Sequence, residues 1–152
     1  MQRIEEGLLS MVLAAPLLAF LVVACSSGAP EPVEIALDQE ACHQCRMAIS
    51  QREFSAEAVT LAGSVYYFDD IGCMGRWISD NQLPETAGLF VTDYDTRSWL
   101  DARMAFYVRS NRLPTPMQYG LAAFETRAKA RTAAKRLDGE VLAWQQVLEG
   151  GI

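Results

Sequence analysis

The feature that most constrains this chain is the uncharged segment near its N-terminus. Residues 8–24 are uncharged and almost entirely apolar, contain Pro16, and end directly before Cys25. The run is shorter than the ~20 apolar residues that a membrane-spanning helix needs. Small residues such as Ala24 precede the site at which signal peptidases cut. The sequence therefore predicts that residues 1–24 are a cleavable leader and that the folded part of the protein follows it.

Cys25 indicates which kind of signal peptide this leader is. A cysteine directly after small residues resembles the bacterial lipoprotein signal, in which the cysteine is diacylated and becomes the first residue of the mature protein. Two acyl chains anchor a protein stably, because each buried CH₂ contributes about 0.8 kcal/mol. Residues 25–36 are then the lipidated cysteine and a tether that includes Pro30 and Pro32. We expect a domain that is lipid-anchored to a bacterial membrane and faces the periplasm, which is oxidising.

Composition excludes several classes of function. The 152 residues carry 13 basic and 19 acidic side chains, for a net charge of −6. An acidic chain without a basic stripe is a poor binder of nucleic acid. His43 is the only histidine of the sequence, which excludes any site that needs several imidazoles. Apolar residues make up 51% of the chain, so it is not a disordered polyelectrolyte.

The first part of the domain has the pattern of a hairpin followed by a helix. Glu53–Thr60 and Val65–Phe68 are strand-like and are separated by a glycine-containing turn. Asp69 and Asp70 offer helix caps, and a helix is predicted over Ile71–Ser79. This part of the chain is therefore predicted to be a ββα unit.

The pattern then loosely recurs. Leu89–Tyr94 and Met104–Arg109 are strand-like, and the spacing of apolar residues predicts a helix over Leu121–Leu137. Val141–Trp144 is predicted to be a last strand. The fold class is therefore expected to be α+β, with two tandem ββα units.

The chemistry of the chain is concentrated in one short segment. Cys42, Cys45 and Met47 form the motif Cys-x₂-Cys-x-Met. With Cys25 lipidated, only Cys73 remains besides these two cysteines, which is too few for a four-cysteine zinc or iron–sulfur site within one chain. Thiolate and thioether sulfur both suit Cu(I). The motif is therefore consistent with either a Cu(I) site or thiol–disulfide chemistry at Cys42 and Cys45.

Other residues are weaker candidates. Met117 follows two prolines in a loop, so it is either a donor held by a stiff backbone or a side chain folded onto the core. Cys42 is an auxiliary ligand or the partner of Cys45 in a disulfide, and His43 is a further nitrogen donor. Cys73 is more simply a buried structural cysteine. The two aspartates are most simply helix caps, because hard oxygen ligands do not suit Cu(I).

Four motifs, in this order along the chain, carry a resemblance to a known family. They are the lipoprotein signal, the Cys-x₂-Cys-x-Met segment, Phe-Asp-Asp-Ile-Gly-Cys-Met at 68–74, and Pro-Met-x-Tyr-Gly-Leu-Ala-Ala-Phe at 116–124. Together they resemble the NosL family, the membrane-anchored copper chaperones of the nitrous oxide reductase system. The resemblance implies a Cu(I) carrier whose partners are nitrous oxide reductase and its assembly factors.

The resemblance also implies a fold and a ligand set. The fold would be the tandem ββα arrangement shared with the organomercurial lyase MerB, in a domain over 37–152 with halves at about 37–85 and 86–150. In the family pattern the copper ligands correspond to Cys45 and Met47, with Met117 as the third sulfur. The family usually has glycine where this chain has Arg46 and Gln118. A cation at position 46 would favour the thiolate of Cys45.

Three hypotheses follow. The first is a copper-binding protein that is not an enzyme and has no catalytic residues. The alternative is an extracytoplasmic thiol–disulfide oxidoreductase that uses Cys42 and Cys45. A third is a lyase acting on carbon–metal bonds, which would pair Cys73 with Asp69 or Asp70.

Overall fold

The computed structural model describes residues 28–149, which contain two antiparallel β-sheets and three α-helices. The first sheet has four strands in the order β2-β1-β3-β4, and a short 3₁₀ turn at Arg52–Phe54 precedes it. The elements of this first unit are β1 (Ala56–Val59), β2 (Val65–Phe68), α1 (Ile71–Asp80), β3 (Gly88–Thr92) and β4 (Trp99–Asp101). The signal peptide and Cys25 lie outside the described residues.

The second sheet has three strands in the order β6-β5-β7. Its unit contains β5 (Phe106–Arg109), β6 (Leu121–Phe124), α2 (Arg127–Leu137), β7 (Glu140–Ala143) and α3 (Trp144–Glu149). Each unit therefore begins with a ββα segment whose next strand pairs with the first strand of the unit. The prediction of an α+β fold with two tandem ββα units is confirmed.

The hairpin and helix of the first unit form where the sequence predicts them, except that the predicted strand Glu53–Thr60 shortens to Ala56–Val59 and its first residues belong to the 3₁₀ turn. Strand β2 covers the predicted residues, and α1 ends one residue later than predicted. In the hairpin, Ala56 lies opposite Phe68 and Val59 lies opposite Val65. Gly63 has a φ of 83°, which a tight turn requires and glycine adopts without a steric penalty. Local sequence is therefore sufficient to specify this segment.

The second unit differs from the sequence prediction in two respects. Residues 121–124 are not helical but form β6, whose four side chains are buried, and the helix begins only at Arg127. Burial and pairing with β5 override the helix propensity of the two alanines. The residues 89–94 also do not pair with 104–109. They supply β3, which lies between β1 and β4 in the first sheet.

The N-terminal residues of the described part contact the domain. Ile35 is buried in the main core, and the backbone N–H of Val33 donates to Oε1 of Glu57 over 2.7 Å. An ion pair of 2.6 Å joins Glu34 to Arg52. The packed domain thus begins before residue 37. Within residues 28–149, no helix has the length and apolar character needed to cross a membrane.

The two units meet where α1 begins. Gly72, in the first turn of α1, lies directly against the ring of Tyr119 in the loop before β6. The same loop contains Met117. This junction brings residues from distant parts of the sequence to one end of the molecule.

Candidate metal site

The Cys-x₂-Cys-x-Met segment folds into a tight turn, which we call the knuckle (residues 41–48). Ala41 and Ala48 form an antiparallel bridge, and the N–H of Cys42 donates to the carbonyl of Met47 over 2.8 Å. The N–H of Arg46 closes the turn by donating to the carbonyl of Cys42 over 3.0 Å. This geometry directs Cys42 into the core, leaves Cys45 half-buried, and leaves the Met47 side chain 54% exposed.

The junction between β2 and α1 supplies the second part of the site. Asp70 caps the helix by accepting a hydrogen bond from the N–H of Gly72 over 2.9 Å. Cys73 lies in the first turn of α1 and is buried. The knuckle docks here because the N–H of His43 donates to the carbonyl of Tyr67 over 2.8 Å. As a result, Sγ of Cys45 donates to Oδ2 of Asp69 over 3.3 Å.

These two parts form one cluster of four side chains: Cys42, Cys45, Asp69 and Cys73. One ligand atom from each lies within 4.8 Å of every other. The sequence predicts Cys42 and Cys45 at the site, whereas its pattern favours a core position for Cys73 and a helix cap for Asp69. The structure gives the cap to Asp70 and leaves Asp69 free to face the thiols. The strand–helix junction at 68–74 was the signal that could have located both residues.

The protonation of the cluster is uneven. Burial is the main cause that raises the pKa of Cys45 to about 12, and the hydrogen bonds to Cys42 and Asp69 contribute to the same rise. A hydrogen bond from Cys73 lowers the pKa of Cys42 to about 7, and the same bond raises the pKa of Cys73. The expectation that Arg46 would favour the Cys45 thiolate is therefore wrong, because Arg46 is exposed and burial dominates.

Met117 is held close to the start of α1 by its backbone. Its N–H donates to Oδ2 of Asp70 over 3.1 Å, while Oδ1 of the same carboxylate caps the helix. Thr115 also hydrogen-bonds Asp70, and its hydroxyl accepts from the N–H of Gly120 over 3.1 Å. The Met117 side chain is 37% exposed. Asp70 is thus the residue that ties the methionine loop to the β2–α1 junction.

Arg46 and Gln118 both have left-handed backbone. The φ angles are 68° at Arg46 and 61° at Gln118. A residue with a Cβ atom adopts this region at a steric cost, which glycine avoids. Arg46 separates Cys45 from Met47, and Gln118 directly follows Met117. The backbone that presents these sulfur-bearing residues is therefore strained at one position in each loop.

His43 is not part of this cluster of ligand atoms. Its Nδ1 accepts a hydrogen bond from the N–H of Tyr67 over 3.1 Å, and its ring lies edge-on to Tyr66 at 5.2 Å. An accepting Nδ1 assigns the proton of the neutral ring to Nε2. In this arrangement neither ring nitrogen offers a free lone pair, so His43 serves to dock the knuckle onto β2.

Comparison with known proteins decides the family. Residues 32–150 match the NosL family model. The chain belongs to the NosL family. It is 28% identical to the copper-binding lipoprotein NosL of Stutzerimonas stutzeri over 162 residues, which cover 97% of this chain and 82% of that protein.

A solved structure supports the fold assignment. The copper chaperone NosL from Shewanella denitrificans superposes with a TM-score of 0.68 at 17% identity, covering 80% of this chain and 98% of that one. The predicted family and fold are confirmed by these matches. Both NosL proteins are described as copper-binding or as a chaperone, and neither as an enzyme.

Proposed function

We propose that this protein is a membrane-anchored Cu(I) chaperone that delivers copper for assembly of the copper centres of nitrous oxide reductase. Cys45, Met47 and Met117 are the proposed copper ligands. The observation that carries the proposal is the half-buried Cys45 at the edge of a thiol cluster, with the exposed Met47 beside it in the knuckle. The Met117 loop is fixed to the adjacent start of α1.

The proposed ligands match the chemistry of the ion. Cu(I) prefers soft sulfur donors over oxygen donors. The Cys45 thiol is protonated at neutral pH, so binding of the metal releases a proton and the affinity rises with pH. The thioethers carry no proton and contribute at any pH. A set of one thiolate and two thioethers holds a monovalent ion without accumulating buried negative charge.

Exposure of the methionines suits transfer. Met47 is 54% exposed and Met117 is 37% exposed, so a receiving protein can reach an ion that both of them bind. Ligand exchange then moves the ion directly from one set of sulfur atoms to the next. A diacylated Cys25 would keep the domain at the membrane and raise its concentration near the assembly machinery.

The protonation pattern favours this proposal over the thiol–disulfide oxidoreductase that the sequence leaves open. Such an enzyme attacks with an accessible thiolate. Here the thiol with the lowered pKa, Cys42, is buried, while the accessible Cys45 has its pKa raised to about 12. The accessible thiol is therefore a poor nucleophile but remains a good ligand once a metal displaces its proton.

Anaerobic titration with Cu(I) against a competing chelator tests the ligand set. We expect Cys45→Ser to abolish nearly all binding and Met47→Ala or Met117→Ala to weaken it. Met104→Ala is the matched control, because Met104 is 75% exposed and belongs to the turn after β4. Wild-type affinity in Cys45→Ser would overturn the proposed site.

Delivery and anchoring are tested in cells. We expect nitrous oxide reductase to contain less copper when Cys45→Ser replaces the wild-type protein. Cys25→Ser is expected to leave the membrane fraction. Full copper loading of the reductase in cells that lack this protein would contradict the proposed delivery.

A further inference from the structure

We propose that the end of the first sheet opposite the candidate metal site lies directly on the surface of a phospholipid bilayer. This surface, which we call the membrane end, consists of the β1–β2 turn (60–64) and the turn after β4 (102–105). The contact rests on one part of the proposed function, the diacylation of Cys25, and adds to it a direct contact between the folded domain and lipid. The contact turns the metal site away from the membrane.

The chain leaves the described domain at the membrane end. A Cβ atom placed on Gly88, the first residue of β3, would lie 3.0 Å from Cβ of Pro30. Gly88 pairs with Val59, the last residue of β1, so Pro30 lies close to the start of the β1–β2 turn. Only residues 26–29 separate Pro30 from Cys25, and a fully extended chain of this length spans at most about 17 Å. A lipid on Cys25 therefore keeps the membrane end close to the bilayer.

The segment that follows Pro30 is fastened to the sheet, so this short link cannot lengthen freely. The N–H of Val33 donates to Oε1 of Glu57 over 2.7 Å, and Glu57 is fully buried. Ile35 is 3% exposed and belongs to the main core. A longer link would require these native contacts to break.

The membrane end also carries the two most exposed large apolar side chains of residues 28–149. Leu61 in the β1–β2 turn is 59% exposed, and Met104 in the turn after β4 is 75% exposed. The strand order places β3, where the chain leaves, between β1 and β4, and two strand spacings amount to about 10 Å. One apolar side chain thus lies on each side of the anchored segment. Both gain free energy when they are buried at the boundary between headgroups and acyl chains.

Little charge opposes burial of these two turns. Residues 58–68 contain no charged side chain, and the N–H of Gly63 closes the first turn by donating to the carbonyl of Thr60 over 2.9 Å. The second turn contains one charged residue, Arg103, whose Nη2 donates to the carbonyl of Ala87 over 3.1 Å. A guanidinium group at this level can pair with a lipid phosphate. The turns therefore suit the interface of a phospholipid bilayer.

The candidate metal site lies at the other end of the same sheet. Strand β2 runs from the membrane end at Val65 to Phe68, and Asp69 follows directly. Three residue steps of about 3.4 Å place Phe68 about 10 Å from Val65 along the strand. The knuckle docks at that far end, where the exposed Met47 belongs to it. Lipid contact at the membrane end therefore leaves the proposed copper ligands accessible from the aqueous side.

Fluorescence quenching by brominated phospholipids tests the contact in the full, lipidated protein. Protein purified from bacterial membranes is reconstituted into vesicles of phosphatidylethanolamine and phosphatidylglycerol that are brominated near the headgroup end of their acyl chains. After subtraction of the signal of the three native tryptophans, we expect Leu61→Trp and Met104→Trp to be quenched at least about threefold more strongly than Leu37→Trp. Leu37→Trp is the matched control, because Leu37 is 36% exposed and the N–H of the next residue, Asp38, donates to the carbonyl of Ile49 beside the knuckle.

A second substitution tests whether the apolar side chains make the contact. Met104→Glu introduced into the Leu61→Trp protein should lower its quenching at least about twofold, whereas Leu37→Glu should leave it unchanged, because only the first places a charge at the membrane end. Failure of the wild-type protein to float with the vesicles would overturn the anchoring and the contact together. Flotation with equal quenching at positions 61 and 37 would overturn the contact alone and leave the proposed copper function standing.

Discussion

The contact between Gly72 and Tyr119 allows a direct test of how the methionine loop is positioned. A Cβ atom added at Gly72 would overlap the ring of Tyr119 and approach its Cβ to 2.6 Å. Tyr119 lies two residues after Met117, so the loop must shift away from α1 in a Gly72→Ala protein. That shift also separates the N–H of Met117 from Oδ2 of Asp70. The substitution therefore moves a proposed ligand without altering any sulfur atom.

The expected loss of folding stability in Gly72→Ala is the sum of opposing contributions. Overpacking costs about 1–3 kcal/mol, and the loss of a hydrogen bond to a buried carboxylate costs a further ~1–3 kcal/mol. Alanine in place of glycine in a helix offsets about 1 kcal/mol of this. We expect Gly72→Ala to lower the free energy of unfolding by a net amount of about 3 kcal/mol.

The assays are urea denaturation and anaerobic Cu(I) titration. Copper affinity should fall in Gly72→Ala as it does in Met117→Ala, and the double variant should show little additional loss because both changes remove the same donor. Gly28→Ala is the matched control, since no described atom lies within 4 Å of a Cβ placed there. An unchanged affinity and an unchanged unfolding free energy in Gly72→Ala would refute this account of the loop.

Three further predictions concern stability. Burial raises the pKa of Glu57 to about 7, so the folded state holds a proton that the unfolded state releases near pH 4.5, and stability should fall as the pH rises through 7. Between pH 4 and 8, the unfolding free energy of Glu57→Gln should change by about 3 kcal/mol less than that of the wild type, as measured by chemical denaturation at each pH. An equal change in both proteins would contradict this prediction. Arg46→Gly should raise the unfolding free energy by roughly 1 kcal/mol because it removes the left-handed strain, whereas a lowered value would exclude strain at that position. Gly63→Ala, where the φ is 83° and no described atom crowds the Cβ, should cost about 1 kcal/mol from the backbone alone, and an unaltered denaturation midpoint would count against it.

The parts of the fold that depend on local patterns could be predicted from sequence. Strand β2 and helix α1 follow from a run of β-branched and aromatic residues, a glycine turn and an aspartate cap, all within a short stretch. Strand β6 could not be predicted, because Leu121–Phe124 contains two alanines and is apolar at every position, a pattern that a buried helix shares. Only its pairing with β5 distinguishes the two, and that contact is not local.

In the candidate site, too, the features that depend on local sequence could be predicted and those that depend on distant contacts could not. The knuckle motif identifies Cys42 and Cys45, because their spacing alone places them in one turn. The burial of Cys73 can be predicted from sequence, but its neighbours cannot, because they depend on the docking of His43 on Tyr67. Of two adjacent aspartates, sequence cannot tell which one caps the helix. That distinction decides which carboxylate faces the thiols.

Asp70 has a consequence for how an ion would move through this protein. Its two carboxylate oxygens fasten the start of α1 and the methionine loop to each other, although the two segments are 47 residues apart in sequence. The start of α1 and the loop that carries the proposed ligand Met117 are therefore held together by the protein's own hydrogen bonds, before any metal binds. For the proposed copper site, we expect loading and release of the ion to need only side-chain rotation, so that encounter with the acceptor limits the rate of transfer.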